Sequence, residues 1–141
     1  MKTVQDILDM KGKSVWWIDP LEPVFAAAKL MRERRVGALL VQIDGYIVGI
    51  VSERDYLKLI LDHPTPQKTK VSEIMTRDVI TVTRAESADN CIDLMKAHHI
   101  RHLPVVEDGK ALGIISVRDL LFGITDSRRG ESSDLPRSPG R

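Results

Sequence analysis

Apolar positions along this 141-residue chain change rhythm in the same order twice. Val24, Ala27, Ala28 and Met31 recur at helical spacing, and Ala88, Cys91, Ile92 and Met95 repeat those offsets further on. Each stretch predicts an amphipathic helix with one face inward. After the first helix comes LLVQIDGYIVGIV, Leu39 to Val51, two short apolar and β-branched runs parted by Asp44-Gly45. After the second comes LPVVEDGKALGII, Leu103 to Ile115, with Asp108-Gly109 in the same place. A DG step between such runs predicts a β-hairpin. Ser52 and Ser116 then open a further helix in each copy, while SVWWI (Ser14 to Ile18) and VITV (Val79 to Val82) predict short strands ahead of the first helices.

At an offset of 64, residues 36–57 and 100–121 are identical at ten of 22 positions, which marks an internal repeat. Val4 to Met10 and Val71 to Met75 predict short lead-in helices. The resulting division is 1–62 for the first repeat with its lead-in helix, 63–70 for a Pro-containing linker, 71–126 for the second repeat, and 127–141 for a Gly/Pro/Ser/Arg tail expected to be disordered. The expected fold is α/β (α+β), two βαββα units. A unit of about 60 residues buries only some 60% of its unfolded surface. The two are therefore expected to pack sheet to sheet about a pseudo-twofold axis, leaving a cleft between them.

Composition narrows the function. The chain is 43% hydrophobic and 29% charged, with no apolar run near the roughly 18 residues that span a bilayer. MKTVQDILDM has neither a signal-peptide core nor a transit-peptide composition, so a cytoplasmic address and no membrane association are the expectation. Twenty-one Lys and Arg balance twenty Asp and Glu, which disfavours nucleic acid as a partner. Any anion must be gripped locally. The single cysteine, Cys91, excludes an internal disulfide and a Cys-rich zinc site.

The most repeated chemistry is SxRD, at Ser52, Arg54, Asp55 and again at Ser116, Arg118, Asp119. Ser followed three residues later by Asp reads as a capping box. That leaves the arginines unexplained, because a cation in the first turn opposes the helix macrodipole by about 0.3–1 kcal/mol. A phosphate at the helix start accounts for them, and the carboxylate can accept both hydroxyls of a ribose. Val36-Gly37 and Ile100-Arg101 can flank a flat base.

With these motifs the chain resembles the CBS (cystathionine-beta-synthase-type) domain family in its tandem-pair form, the Bateman module. The likeness rests on both GhhSxRD segments (h is apolar), on HIRHLPVVEDGKALG, and on the weaker VGALLVQIDGYIVG, and it covers residues 1 to about 125. It implies a homodimer and adenosine ligands in the cleft between repeats. Carried over, it implies one site of Ser52, Arg54 and Asp55 facing Ile100, Arg101 and His102. A second pairs Ser116, Arg118 and Asp119 with Val36 and Gly37, lined by Ala27 and Ile114. Since Arg101 and His102 are set against Asp55, that site is expected to grip phosphate more strongly.

The first copy has Leu39-Leu40 where the second has Leu103-Pro104, and three extra residues, Lys11-Gly12-Lys13, which read as solvated loop charges or as reaching a polyphosphate. His98 and His99 read as a helix end, and Cys91 as a buried, inert thiol. Of Trp16-Trp17, one is expected inward and the other toward solvent or a second subunit. There is no Walker loop, GxSxG or HExxH, so no enzyme and no catalytic cofactor are expected. The reading is a regulatory module that binds AMP, ADP, ATP or NAD(H), with S-adenosylmethionine also open, and signals to a partner protein. The alternative is a ligand-independent dimeric adaptor.

Overall fold

Thr3 starts the first helix by a reciprocal cap: its N–H donates to Asp6 Oδ2 (2.9 Å) and its Oγ1 accepts from the Asp6 N–H (3.3 Å). Those bonds to Thr3 hold the Asp6 carboxyl below its ordinary pKa. The helix, α1 (Val4–Lys11), buries Val4, Ile7 and Leu8 and ends at Gly12, whose φ of 97° suits glycine. The computed structural model describes residues 2–12, 15–62 and 65–129, with the backbone alone for 124–129. Lys13, the linker residues 63 and 64, and the expected tail beyond residue 129 lie outside the described residues.

The chain forms two compact bodies. One is continuous, Trp16–Val79; the other joins the N-terminal segment through Val15 to the chain from Ile80 onward. The continuous body holds β1 (Trp17–Ile18), α2 (Val24–Arg34), β2 (Ala38–Ile43), β3 (Tyr46–Ser52), α3 (Glu53–Asp62) and α4 (Val71–Ile74). Its sheet runs β1-β2-β3, with β1 parallel and β3 antiparallel to β2. Ile18, Ala27, Met31, Leu39, Val41, Val51 and Val71 form the core. The other body holds α1, α5 (Ala88–His98), β4 (His102–Glu107), β5 (Lys110–Ser116) and α6 (Val117–Arg129), around Val4, Ile7, Leu8, Cys91, Met95, Leu103, Val105 and Ile115. Helix α6 extends to Arg129, into the stretch expected as tail.

Each lead-in helix thus completes the other repeat. The Val4 and Gln5 N–H groups donate to Glu86 O (2.8 Å) and Arg84 O (3.0 Å), and those of Val71 and Ser72 donate to Glu22 O (2.8 Å) and Pro20 O (2.9 Å). Acceptors in the two sets are 64 residues apart, as the repeat requires. Glycine admits both helices. A Cβ on Gly113 would lie 2.7 Å from Leu8 Cδ2, and one on Gly49 would lie 2.6 Å from Met75 Sδ. No side chain larger than hydrogen leaves that space open.

Both DG hairpins form as expected, with Asp44 and Asp108 at φ 52° and 53° followed by Gly45 and Gly109 at 84° and 80°. Both carry a bulge at the same register, Val41/Gln42 and Val105/Val106. The expected leading strands shrink. SVWWI pairs only over Trp17–Ile18, and VITV is reduced to a bridge between Val82 and Val105. One substitution between the copies explains the difference. In the first, the Leu40 N–H donates to Trp16 O (3.2 Å) and extends the parallel ladder. The matching residue in the second is Pro104, which has no N–H, so the ladder stops at the two bonds around Val82.

Candidate functional site at the strand-to-helix turns

In both bodies the hairpin's last strand runs straight into a helix, and SxRD lies on that turn. The Ser52 N–H donates to Asp55 Oδ2 (2.8 Å), the Ser52 hydroxyl to the same oxygen (3.2 Å), and Ser52 Oγ accepts from the Asp55 N–H (3.5 Å). In the second copy the Ser116 N–H donates to Asp119 Oδ2 (2.8 Å), and the Asp119 N–H donates to Ser116 Oγ (3.1 Å). The capping box is therefore real. It engages Oδ2 of each carboxylate, and Oδ1 takes no part in the cap.

The antiparallel ladders pair Ala38 with Ser52 and His102 with Ser116. The start of each hairpin's first strand thus meets the end of its second. Gly37 O accepts from the Glu53 N–H (3.0 Å), and Arg101 O accepts from the Val117 N–H (2.9 Å). These edges are reached through left-handed turns at Arg35 (φ 58°) and His99 (φ 55°), which close α2 and α5. Within one body, then, Val36 and Gly37 adjoin Ser52, Arg54 and Asp55. Within the other, Ile100, Arg101 and His102 adjoin Ser116, Arg118 and Asp119. Each body thus brings together, at the backbone, the edge and turn of its own repeat. Ala27 needs a correction, because it is fully buried in the core and offers no surface to a ligand. Ile114 is half-buried and contributes its carbonyl.

Lys11, read from the sequence as a loop charge, is the last residue of α1 and points into the second copy's turn. Its Nζ donates to Asp119 Oδ2 (2.7 Å) and to Ile114 O (2.6 Å). The only hint in the sequence was its place in the extra residues after the lead-in helix. Beside it, burial pushes the His102 imidazole down to about 4; the positive charges of Lys11 and Arg101 add to this and the Asp119 carboxylate opposes it. His102 is neutral at pH 7. Arg118 lies 5.3 Å from the Phe122 ring centroid, where cation–π attraction orients it.

The asymmetry of charge follows from this. Arg101 and His102 sit in the body of Asp119, as does Lys11. At the Asp119 turn Lys11 bonds the carboxylate, Arg118 precedes Asp119 on α6 beside Phe122, and Arg101 meets the turn through its carbonyl. The Asp55 turn has Arg54 with Asp55 and Glu53, and Gly37 and Ala38 replace Arg101 and His102.

Other candidate residues have ordinary roles. Cys91 is fully buried, and burial, with a smaller effect of Glu86, pushes its thiol up to about 11. His98 lies in the last turn of α5, and His99 caps it. No group of His, Cys, Asp or Glu among the described residues can hold a metal ion. Trp16 packs on the core beneath Arg34, 4.3 Å from its ring centroid, while Trp17 is 52% exposed. No described helix is long and apolar enough to cross a membrane.

Known proteins share this arrangement. The chain is 36% identical over 143 residues to the mitochondrial CBS domain-containing protein CBSX3 of Arabidopsis thaliana, covering 94% of this chain and 69% of that one. A solved CBS domain structure, NE2398, superposes with a TM-score of 0.84 at 39% identity, over 88% of this chain and 98% of the other. The CBS domain protein PAE2072 of Pyrobaculum aerophilum, solved in complex with AMP, superposes with a TM-score of 0.77 at 26% identity, over 86% and 92%. The CBS domain profile matches twice, at residues 4–62 and 71–126, so this chain belongs to the CBS domain family and carries a tandem pair.

Proposed function

We propose that the protein is a regulatory, non-catalytic module that binds an adenine nucleotide at its SxRD turns and presents the occupied state to a partner protein. The observation that carries this reading is the cap geometry of Asp55 and Asp119. Each holds one oxygen in the helix cap and keeps the other for a ribose diol, beside an arginine and a helix start suited to phosphate. The AMP complex of a relative of the same fold supports the ligand class. Occupancy transmits only the difference in ligand affinity between the states it connects. Titration calorimetry with AMP, ADP, ATP and NAD(H) tests the proposal on wild type, Asp55→Asn and Asp119→Asn. Asn keeps an acceptor for the cap but loses the charge and the second acceptor. Each variant loses binding at its own turn; unchanged binding in both rejects the reading.

Self-association is a further part of the proposal, supported by matched apolar exposure. Leu57 and Leu121, 64 residues apart, are 61% and 58% exposed on α3 and α6, with Leu61 and Phe122 alongside. A second copy of the chain covering these faces makes a homodimer. Leu57→Glu with Leu121→Glu yields a monomer by sedimentation if this is right, and an unchanged mass if it is not. Dimerisation without any nucleotide binding would favour the adaptor reading.

A further inference from the structure

We infer that Lys11 sets the ligand charge of the second repeat's turn, so that Asp119 serves a polyphosphate nucleotide while Asp55 serves a ligand of lower charge. This rests on the nucleotide-binding reading above and deepens it. Lys11 is firmly placed. Leu8 packs into the space over Gly113, Ile7 touches the position a Gly123 side chain would take, and Gly12 ends the helix immediately after Lys11. From there Nζ makes two short bonds, to Asp119 Oδ2 at 2.7 Å and Ile114 O at 2.6 Å.

Asp119 Oδ2 therefore serves both the Ser116 N–H and the ammonium, whereas Asp55 Oδ2 serves the N–H and hydroxyl of Ser52. Among the described residues of the first body, no lysine matches this one. Aligning the lead-in segments by Leu8 and Met75 puts Asp78 opposite Lys11, and α4 has already ended at Ile74.

The two turns differ in what they offer a phosphate. At Asp119 Lys11 stays on Oδ2 while Oδ1 is left for the ribose, so an uncharged nucleoside gains nothing from the lysine. A ligand with a phosphate chain gives the Lys11 ammonium a new anionic partner beside that ribose. The pair is part-exposed, 34% and 18%, so the ammonium can turn to a phosphate that replaces its bond to the carboxylate. Arg101 and Arg118 supply the remaining charge for the phosphates. At the Asp55 turn, among the described residues, no lysine bonds the carboxylate, so an added phosphate finds no ammonium held there.

The test is calorimetry with adenosine, AMP and ATP in an Asp55→Asn background, comparing Lys11, Lys11→Met and Lys11→Arg. Lys11→Met is expected to weaken ATP about tenfold and to leave adenosine nearly unchanged, with Lys11→Arg retaining the ATP preference. Thermal midpoints of the three proteins verify the fold. An unchanged ATP-to-adenosine ratio in Lys11→Met overturns the inference and leaves the binding module standing. If wild type binds none of the three ligands, both fall together.

Discussion

Gly49→Ala should be one of the more damaging single-methyl changes in the protein. The new Cβ would lie 2.6 Å from Met75 Sδ and 2.9 Å from Thr76 O. Met75 can rotate aside. The Thr76 carbonyl cannot, because it accepts from the Ile50 N–H at 3.0 Å while the Thr76 N–H donates to Ile50 O at 2.9 Å. Relief requires that bridge to open. Overpacking costs about 1–3 kcal/mol, and each bond lost adds about 0.5–1.5 kcal/mol. The restricted unfolded chain returns about 0.4–1 kcal/mol. With both bonds of the bridge lost, the net expectation is a loss of about 1–5 kcal/mol, centred on about 3. Gly113→Ala is the internal control. Its Cβ meets Leu8 Cδ2 at 2.7 Å, but the other near Leu8 atoms stand at 3.9 Å, so a rotamer change suffices and the loss should stay below about 1 kcal/mol. Urea unfolding gives both values, and amide exchange at Ile50 and Thr76 reports the bridge. Equal losses at the two glycines, or full protection of the Ile50 amide in Gly49→Ala, would refute the reasoning.

Three further outcomes follow from the same geometry. His102 is neutral in the folded protein down to about pH 4, while the unfolded chain takes up its proton near pH 6.5, so the unfolded state binds more protons in that window and stability falls on acidification. The loss is about 2 kcal/mol by pH 5 at about 1.36 kcal/mol per unit; His102→Gln should flatten the urea midpoint between pH 7 and 5, and an unflattened profile would contradict the assignment. Cys91, buried with its thiol pushed up to about 11, should resist a disulfide reagent at pH 7.5 until the protein unfolds, and rapid native labelling would refute this. Pro104→Leu should restore the missing donor, giving residue 104 an exchange-protected amide like that of Leu40; a fast-exchanging amide would show that the proline is not what ends the ladder.

The features legible in the sequence are those fixed by neighbours in the chain. Asp44-Gly45 and Asp108-Gly109 demand left-handed turn residues, Ser52 and Ser116 find their Asp partners three residues on, and Cys91 shares a helical stripe with Met95. The pairing of Gly37 with Glu53 was also within reach. Counting outward from the two-residue turn and allowing for the bulge sets Ala38 against Ser52, which brings Gly37 beside the helix start of its own repeat. What was hidden depends on long-range contacts. Nothing local shows that Leu8 will fill the space over Gly113 rather than over Gly49, and hence that Lys11 will arrive at Asp119. Ala27 was misplaced because a small residue on an apolar stripe suits a ligand wall as well as a core, and its complete burial decides for the core.

The central claim is that the two SxRD aspartates hold a nucleotide as well as a helix cap. Its most direct test is thermal unfolding of wild type and of the Asp55→Asn, Asp119→Asn double variant, each with AMP, ADP, ATP, NAD(H) and S-adenosylmethionine. A ligand at 100 times its dissociation constant adds about 2.7 kcal/mol, a rise of several degrees. The account predicts that rise in wild type for at least one adenosine ligand and its absence in the double variant, with nearly equal ligand-free midpoints. An equal rise in both proteins, or no rise in wild type with any of these ligands, would contradict it.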